Sequence, residues 1–177
     1  DRLAAALKPQ CVLLTAPTFA EYERTLSGAE IHFHMLRESD GFAATERILS
    51  DISPKLDAVY LCNPNNPTGR TIEPALLEKI AEKCAECGVS LVLDECFNDF
   101  LTDAERHTMK SKLASYPNLI ILRAYTKMFA VPGVRFGWCM TANAALLDAL
   151  YRAGQPWNVS VVAQACAVAA AGESGWA

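Results

Sequence analysis

Short apolar runs alternate along this chain with stretches of helical periodicity. The apolar runs predict strands at residues 12–15, 31–35, 58–62, 90–93 and 118–122. Helical periodicity predicts helices at residues 2–7, 19–27, 42–52, 74–87 and within 103–115. The strand at 118–122 shows no alternation of apolar and polar residues, which is typical of a strand buried on both faces. The pattern therefore predicts an α/β fold, a mostly parallel sheet with helices on both faces.

The pattern changes after residue 122. A helix that begins at Lys127 is interrupted by a Pro-Gly pair, and residues 134–140 are predicted to return as a strand that carries Arg135. Two further helices are predicted at residues 143–154 and 161–171. We expect the strand before Lys127 to deliver the lysine to the end of the sheet.

Composition restricts the class of protein. The chain has 177 residues, 51% of them hydrophobic, and a formal net charge of −4. These values suit one soluble domain and argue against a nucleic-acid partner. No run of about 18 uninterrupted apolar residues is present, so no membrane span is predicted. The chain starts without Met and within a helical pattern, which leads us to expect a piece of a longer protein.

The cysteines and histidines predict no metal site. The seven cysteines form an odd set that lies mostly in apolar runs, which favours a reducing, cytoplasmic location. Cys84 and Cys87 form a CxxC inside a predicted helix, without a second pair at zinc-ligand spacing. His32 and His34 share one face of a predicted strand, and we interpret this alternation as coincidence.

Four loops that follow predicted strands carry the chemically interesting side chains. They comprise residues 16–19, the sequence NPNNPTG at 63–69, the carboxylates at 94–95, and Lys127. In parallel α/β sheets such loops meet at one edge, where ligands bind. The NPNNPTG sequence is also compatible with a rigid loop of no further function.

Each charged residue has two interpretations. Lys127 in a partly desolvated pocket would have a lowered pKa and could form a Schiff base, or it could be a surface lysine. Arg135 could return beside it and bind a phosphate, or it could form a local ion pair. Asp94 follows an apolar strand, where a carboxylate needs a cationic partner from a ligand or from the protein itself.

Taken in order and spacing, these motifs resemble one family. NPTG at 66–69, Asp94, Lys127 and Arg135 are similar to motifs of the fold type I pyridoxal-phosphate (PLP) enzymes of the class I and II aminotransferase family. The resemblance covers nearly the whole chain. It implies the large PLP-binding domain of the aspartate aminotransferase-like fold, incomplete in this chain.

The resemblance also implies roles for individual residues. Lys127 would bind the cofactor covalently and act as the catalytic base, and Asp94 would pair with the pyridine nitrogen. Asn66 would bind the ring 3-oxygen, Arg135 the phosphate, and Phe19 would stack on the ring. PLP would then act as an electron sink for bond breaking next to the substrate nitrogen.

Two positions depart from the family pattern. Phe97 stands where much of the family has a tyrosine that binds the 3-oxygen. Ala124 stands where many members have a Ser or Thr that binds the phosphate, and we expect Thr126 to substitute for it.

The resemblance also implies a reaction class, partners and a domain organisation. The sequences PTFAEYE, DECFNDF and TKMFAVPGVRFG look most like the threonine-phosphate decarboxylases of cobalamin biosynthesis, with the histidinol-phosphate aminotransferases next. The implied partners are a small amino acid or phosphorylated amine and a second subunit in a homodimer. Residues 1–154 would be the central part of the large domain, and 155–177 a helix leading toward a small C-terminal domain outside this chain.

Two alternatives from other classes remain. One is an α/β binding module, or an inactive fragment, that keeps the scaffold without catalysis. The other is a nucleotide-binding domain, which would need GxGxxG or GxxxxGK[ST] after a strand; the sequence contains neither.

Overall fold

A six-stranded sheet forms the centre of the molecule. The computed structural model describes residues 1–173. Its strands are β1 (Cys11–Ala16), β2 (Glu30–Met35), β3 (Ala58–Cys62), β4 (Ser90–Asp94), β5 (Leu119–Arg123) and β6 (Trp138–Met140). Their order is β2-β1-β3-β4-β5-β6, with β6 antiparallel to β5 and all other pairs parallel. The predicted α/β fold with a mostly parallel sheet is confirmed.

Helices connect the strands. The α-helices are α1 (Arg2–Leu7), α2 (Glu21–Thr25), α3 (Pro74–Cys87), α4 (Ala104–His107), α5 (Tyr125–Met128), α6 (Ala144–Arg152) and α7 (Val161–Gly172). Short 3₁₀ segments lie at Glu38–Asp40, Glu46–Asp51, Asn98–Phe100, Lys110–Lys112 and Pro132–Val134. Among residues 1–173, no helix combines the length and the apolar character needed to cross a bilayer. Residues 174–177, the end of the segment predicted to leave the domain, lie outside the described part.

Helix α3 covers one face of the sheet. Pro74 occupies its first turn, where the missing N–H costs nothing, and Gly88 ends it at a φ of 72°, a left-handed conformation that suits glycine. Its buried Leu77 and Ile80 pack on residues from β3, β4 and β5. Burying each such side chain contributes about 1.5–3 kcal/mol. Cys84 belongs to the same apolar face, and burial raises the pKa of its thiol to about 12.

A second apolar cluster lies on the opposite face. Val12 and Leu14 of β1 pack there with Tyr60 of β3 and with Leu146 and Leu150 of α6. Helix α1 joins this layer, because Arg2 Nε donates a 2.6 Å hydrogen bond to the Leu150 carbonyl near the end of α6. The central strands β1, β3, β4 and β5 are therefore covered on both faces, as predicted, whereas most residues of edge strand β2 are exposed.

Besides the helix predicted at 19–27, which shortens to α2, three predicted elements were too long. In place of the helix at 42–52, the structure has a 3₁₀ segment at Glu46–Asp51, because Phe42 is left-handed and Thr45 extended. The helix within 103–115 divides into α4 and a 3₁₀ segment. It is interrupted where the Met109 N–H donates to the Glu95 carboxylate instead of continuing a helical ladder.

The third is the strand at 134–140, which shortens to β6. Val134 ends a 3₁₀ turn and Arg135 has a φ of 54°, so the backbone there cannot pair as a strand. Only the last three residues of the predicted strand pair with β5.

Candidate active site

The loops predicted to carry chemistry meet at one edge of the sheet. Strands β1, β3, β4 and β5 run parallel, so their carboxyl ends lie on the same side. Cys62, the last residue of β3, pairs in register with Asp94, the last residue of β4. The segment carrying Phe19 follows β1, and Lys127 lies four residues after the end of β5.

Asp94 is held by two hydrogen-bond donors. The Tyr22 hydroxyl donates a 2.7 Å bond to its Oδ2, and the Cys96 N–H donates a 3.0 Å bond to its Oδ1. Tyr22 is only 8% exposed; burial, and then the charge of Asp94, raise the pKa of its phenol far above the usual range. The phenol therefore stays protonated and serves as a neutral donor that fixes the position of the carboxylate.

The ion pair that sequence analysis offered as an alternative for Asp94 belongs to its neighbour. Glu95 is fully buried and lies 2.8 Å from an Arg123 nitrogen. It also accepts bonds from the Thr108 hydroxyl at 2.7 Å and the Met109 N–H at 2.9 Å. Burial raises the pKa of Glu95, and the Met109 N–H, the Thr108 hydroxyl and the Arg123 guanidinium act against that rise. The network ties the loop after β4 to the end of β5, the strand that precedes Lys127.

Phe19 packs against the tyrosine that binds Asp94. Its ring meets the Tyr22 ring edge-on, with centroids 5.6 Å apart, and the Phe19 side chain is 37% exposed. Sequence analysis named Phe19 and missed Tyr22. The available clue was a phenol in a predicted helix facing an apolar sheet, since a buried hydroxyl needs a partner.

Two buried asparagines shape the NPNNPTG loop. Asn63 accepts a 2.8 Å bond from the Ile72 N–H and donates to the His107 carbonyl. Asn65 donates to the Pro17 carbonyl at 3.0 Å and accepts from the Thr18 hydroxyl at 3.2 Å. The loop is thus rigid and joined to the segment that leads to Phe19.

Asn66 lies at the outer side of this loop, next to an apolar cavity. The cavity has a volume of about 300 Å³ and is lined by Asn66, Phe97, Phe100 and Leu101, together with loop residues including Pro64. The loop after β3 and the loop after β4 therefore share a common space. Phe97, where the family pattern has tyrosine, contributes one wall.

Lys127 lies on α5 with its amine over an aromatic ring. Its Nζ is 5.6 Å from the centroid of the Phe97 ring, within the range of a cation–π contact. Of the two interpretations offered for Lys127, the structure agrees with a surface lysine, because α5 leaves the sheet beyond β5 and Lys127 is exposed. Burial and the Asp94 charge raise the pKa of the Cys96 thiol, and the charge of Lys127 opposes them. Lys127 and Asp94 thus act on the same neighbouring group.

The two residues assigned to the phosphate, Thr126 and Arg135, each form a hydrogen bond with nearby backbone. Thr126 is buried, and its carbonyl accepts a 3.1 Å bond from the Val131 N–H. Arg135 is exposed and donates a 3.1 Å bond to the Pro132 carbonyl. Within residues 1–173, the structure has no hydrogen bond or ion pair between Arg135 and Asp94 or Lys127.

The fold and these motifs define a family. Residues 1–175 match the family described as aminotransferase class I and II, so the chain belongs to the class I and II aminotransferases. This family is PLP-dependent and includes aminotransferases and decarboxylases. Particular relatives narrow the comparison.

The chain is 38% identical to a threonine-phosphate decarboxylase from Salmonella typhimurium over 98% of its own length and 48% of that protein. It is 33% identical to a histidinol-phosphate aminotransferase from Bacillus velezensis, over 89% of this chain and 44% of that protein. The structure of a histidinol-phosphate aminotransferase from Clostridium acetobutylicum superposes with a TM-score of 0.90 at 28% identity, covering 99% of this chain and 52% of that one. The chain therefore spans about half the length of the relatives it matches.

The groups at the sheet edge are chemically suited to PLP. The Asp94 carboxylate accepts two hydrogen bonds and forms no ion pair with a protein cation among the described residues. It can therefore accept a hydrogen bond from a protonated ring nitrogen. The exposed amine of Lys127 is accessible for covalent attachment, and the Phe19 ring is partly open for stacking. Asn66 offers an amide to a ring oxygen.

Proposed function

We propose that this chain forms the cofactor-binding part of a PLP-dependent enzyme and that Lys127 binds the cofactor covalently. The Asp94 carboxylate carries the proposal: it ends a buried strand, is fixed by Tyr22, and has no ion-pair partner within residues 1–173. A buried or half-buried carboxylate without an ion-pair partner is expected to pair with a cationic group of a ligand. A non-catalytic module would have no need for Asp94 and the Lys127 amine at the same edge of the sheet.

Each proposed role follows from side-chain chemistry. When bound, PLP supplies an electron-poor ring that accepts the electron pair released as a bond to the substrate carbon breaks. Asp94 holds the proton on the ring nitrogen, and the Tyr22 bond keeps the carboxylate in place. The Lys127 amine, once released, carries a proton to or from the substrate carbon. Phe19 orients the ring by stacking, and Asn66 donates to its 3-oxygen.

Phosphate binding is assigned to Arg135 and Thr126. The guanidinium offers two parallel N–H donors, which suit a phosphate, and Thr126 offers a hydroxyl next to Lys127. For this role Arg135 must exchange its bond to the Pro132 carbonyl for the phosphate. Because that bond is made at an exposed site, little free energy opposes the exchange.

We propose decarboxylation of a threonine-phosphate-like amino acid as the reaction. The match to the decarboxylase, at 38% identity over 98% of this chain, supports this choice because it extends over more of the chain than the matches to the histidinol-phosphate aminotransferases. The intact protein should release CO₂ and aminopropanol phosphate from threonine phosphate without any keto acid. Transfer of an amino group from histidinol phosphate to 2-oxoglutarate, with no CO₂ released, would support the aminotransferase instead.

The biological setting follows from this proposal. We propose a cytoplasmic homodimer that acts on a small amino acid or phosphorylated amine in cobalamin biosynthesis, without a nucleic-acid or membrane partner. Residues 1–154 would form the central part of its large domain, and residues 155–177 would lead toward a small C-terminal domain.

A further inference from the structure

Three potential metal ligands meet at the opposite edge of the sheet from Asp94 and Lys127. Cys11 is the first residue of β1, and Glu30 is the first residue of β2; the two are paired in register. His32 follows Glu30 by two residues, so both side chains lie on the same face of β2. The Cys11 Sγ, a Glu30 carboxylate oxygen and a His32 ring nitrogen all lie within 4.8 Å of one another.

This spacing is close to that of a zinc centre. Tetrahedral zinc, with bonds of about 2.0–2.3 Å, places its ligand atoms roughly 3.4–3.6 Å apart. His32 Nε2 and Glu30 Oε1 are already 3.1 Å apart. Because the Cys11 sulfur lies within 4.8 Å of both ligand atoms, small rotations of the exposed side chains would bring all three to the spacing of zinc ligands. Both strands are held by the sheet, so the backbone need not move.

The donor set and the local charge also favour a soft divalent cation. Thiolate, imidazole and carboxylate together are typical zinc ligands, whereas Mg²⁺ and Ca²⁺ prefer oxygen ligands alone. Two carboxylates, those of Glu30 and Asp57, lie beside Cys11. Asp57 reaches this position through its hydrogen bonds to the Gln10 and Cys11 N–H groups.

The cluster opens on a cavity that leaves room for a fourth ligand. Cys11 and His32 line this space of about 250 Å³, as do Asp51, Ser53 and Lys55. Lys55 is the cation that opposes metal binding there, and Asp51 is already engaged by His34 at 2.6 Å. A water molecule is therefore the expected fourth ligand.

We propose that Cys11, Glu30 and His32 form a zinc site that ties the amino end of edge strand β2 to β1. This departs from the sequence-based expectation of no metal. The site is separate from the proposed PLP site, so it stands or falls independently of the proposed reaction. Its effect is structural: the metal closes the end of a parallel strand pair that otherwise rests on backbone hydrogen bonds.

The test is titration of the intact, untagged and reduced protein with Co²⁺, followed by displacement with Zn²⁺. We expect one equivalent of Co²⁺ to bind with tetrahedral visible bands and a thiolate charge-transfer band, both lost when Zn²⁺ is added. Cys11→Ser should abolish the charge-transfer band, and His32→Gln and Glu30→Gln should each weaken binding at least about tenfold. Cys87→Ser, at a half-buried cysteine on α3, should leave the spectrum unchanged.

A thermal measurement guards against variants that fail to fold. Zn²⁺ should raise the unfolding temperature of the wild-type protein and of Cys87→Ser, but not that of a folded Cys11→Ser or His32→Gln variant. Absence of stoichiometric Co²⁺ binding would overturn the proposal. So would a charge-transfer band that survives in Cys11→Ser or depends on Cys87.

Discussion

The Tyr22 hydroxyl donates a 2.7 Å hydrogen bond to Asp94 Oδ2 at the carboxyl edge of the sheet. Tyr22 lies on α2, the helix that follows β1, and Asp94 ends β4. The bond therefore joins two residues that are 72 positions apart in sequence. It explains how a carboxylate at the end of an apolar strand is held without a protein cation. The donor is a neutral hydroxyl, so the bond adds no positive charge beside the carboxylate.

Removing the Tyr22 hydroxyl should weaken catalysis more than cofactor binding. A hydrogen bond to a charged group contributes about 1.5–3 kcal/mol, so Tyr22→Phe should lower turnover roughly ten- to hundredfold while PLP still binds. Steady-state kinetics and PLP titration would measure both effects. The matched control is Tyr116→Phe, whose hydroxyl makes a 3.4 Å contact with Glu82 far from Asp94 in the fold. Equal kinetics in the two variants would contradict a positioning role for Tyr22.

Replacing the carboxylate itself should be more severe. Asp94→Ala removes the charge opposite the ring nitrogen, at a cost on the order of 3 kcal/mol or more, roughly a hundredfold or greater loss of turnover. Cofactor should remain bound, because the covalent link and the phosphate contacts are separate. Asp148→Ala, at an exposed carboxylate on α6, provides the comparison. Turnover within a few-fold of wild type in Asp94→Ala would refute the assignment.

Phe97 should tune the cofactor without choosing the reaction. A tyrosine there could donate to the 3-oxygen, which favours its ionised form, so Phe97→Tyr should shift the pH midpoint of the bound cofactor's absorbance to lower pH. Phe97 lines the same cavity as Asn66 and lies beneath the Lys127 amine, so the new hydroxyl would be close to both. A pH titration followed by absorbance tests this. A midpoint that stays constant or rises would show that residue 97 does not face the 3-oxygen.

The buried pair of Glu95 and Arg123 should dominate the stability of this edge. Arg123→Met would leave the fully buried Glu95 carboxylate without its cation, which should lower the free energy of unfolding by about 3–5 kcal/mol. Arg106→Met removes only exposed contacts to Glu73 and Asp103 and should cost no more than about 1 kcal/mol. Urea denaturation of both variants makes the comparison. Similar losses would mean that Glu95 finds other compensation.

Sequence reasoning predicted the sheet well because strand signals are local. Strands β1, β3, β4 and β5 are built around short apolar runs, and α3 carries both a proline start and a glycine end. The failures have non-local causes. Nothing near Thr108 or Met109 in sequence shows that both bind the Glu95 carboxylate instead of continuing a helix. The predicted strand ended at residue 122 and so left out Arg123, which forms an ion pair with the same carboxylate.

Sequence reasoning predicted that the candidate site residues would lie at one edge of the sheet, but not their burial or their direction. Asp94, Phe19, Asn66 and Lys127 follow strands whose carboxyl ends share an edge, which a parallel sheet requires. The burial of Lys127 depends on elements packed around α5, and the direction of Arg135 depends on its left-handed φ of 54°. Neither property can be read from spacing along the chain.

The covalent attachment of the cofactor is the central claim, and reduction with borohydride tests it most directly. The intact protein would be loaded with PLP, reduced, digested and mapped by mass spectrometry, with Lys127→Arg treated in parallel. The account predicts a stable pyridoxyl label on Lys127 in the wild-type protein and no stoichiometric label in the variant. A stoichiometric label on any other lysine, or none on the wild-type protein, would contradict it.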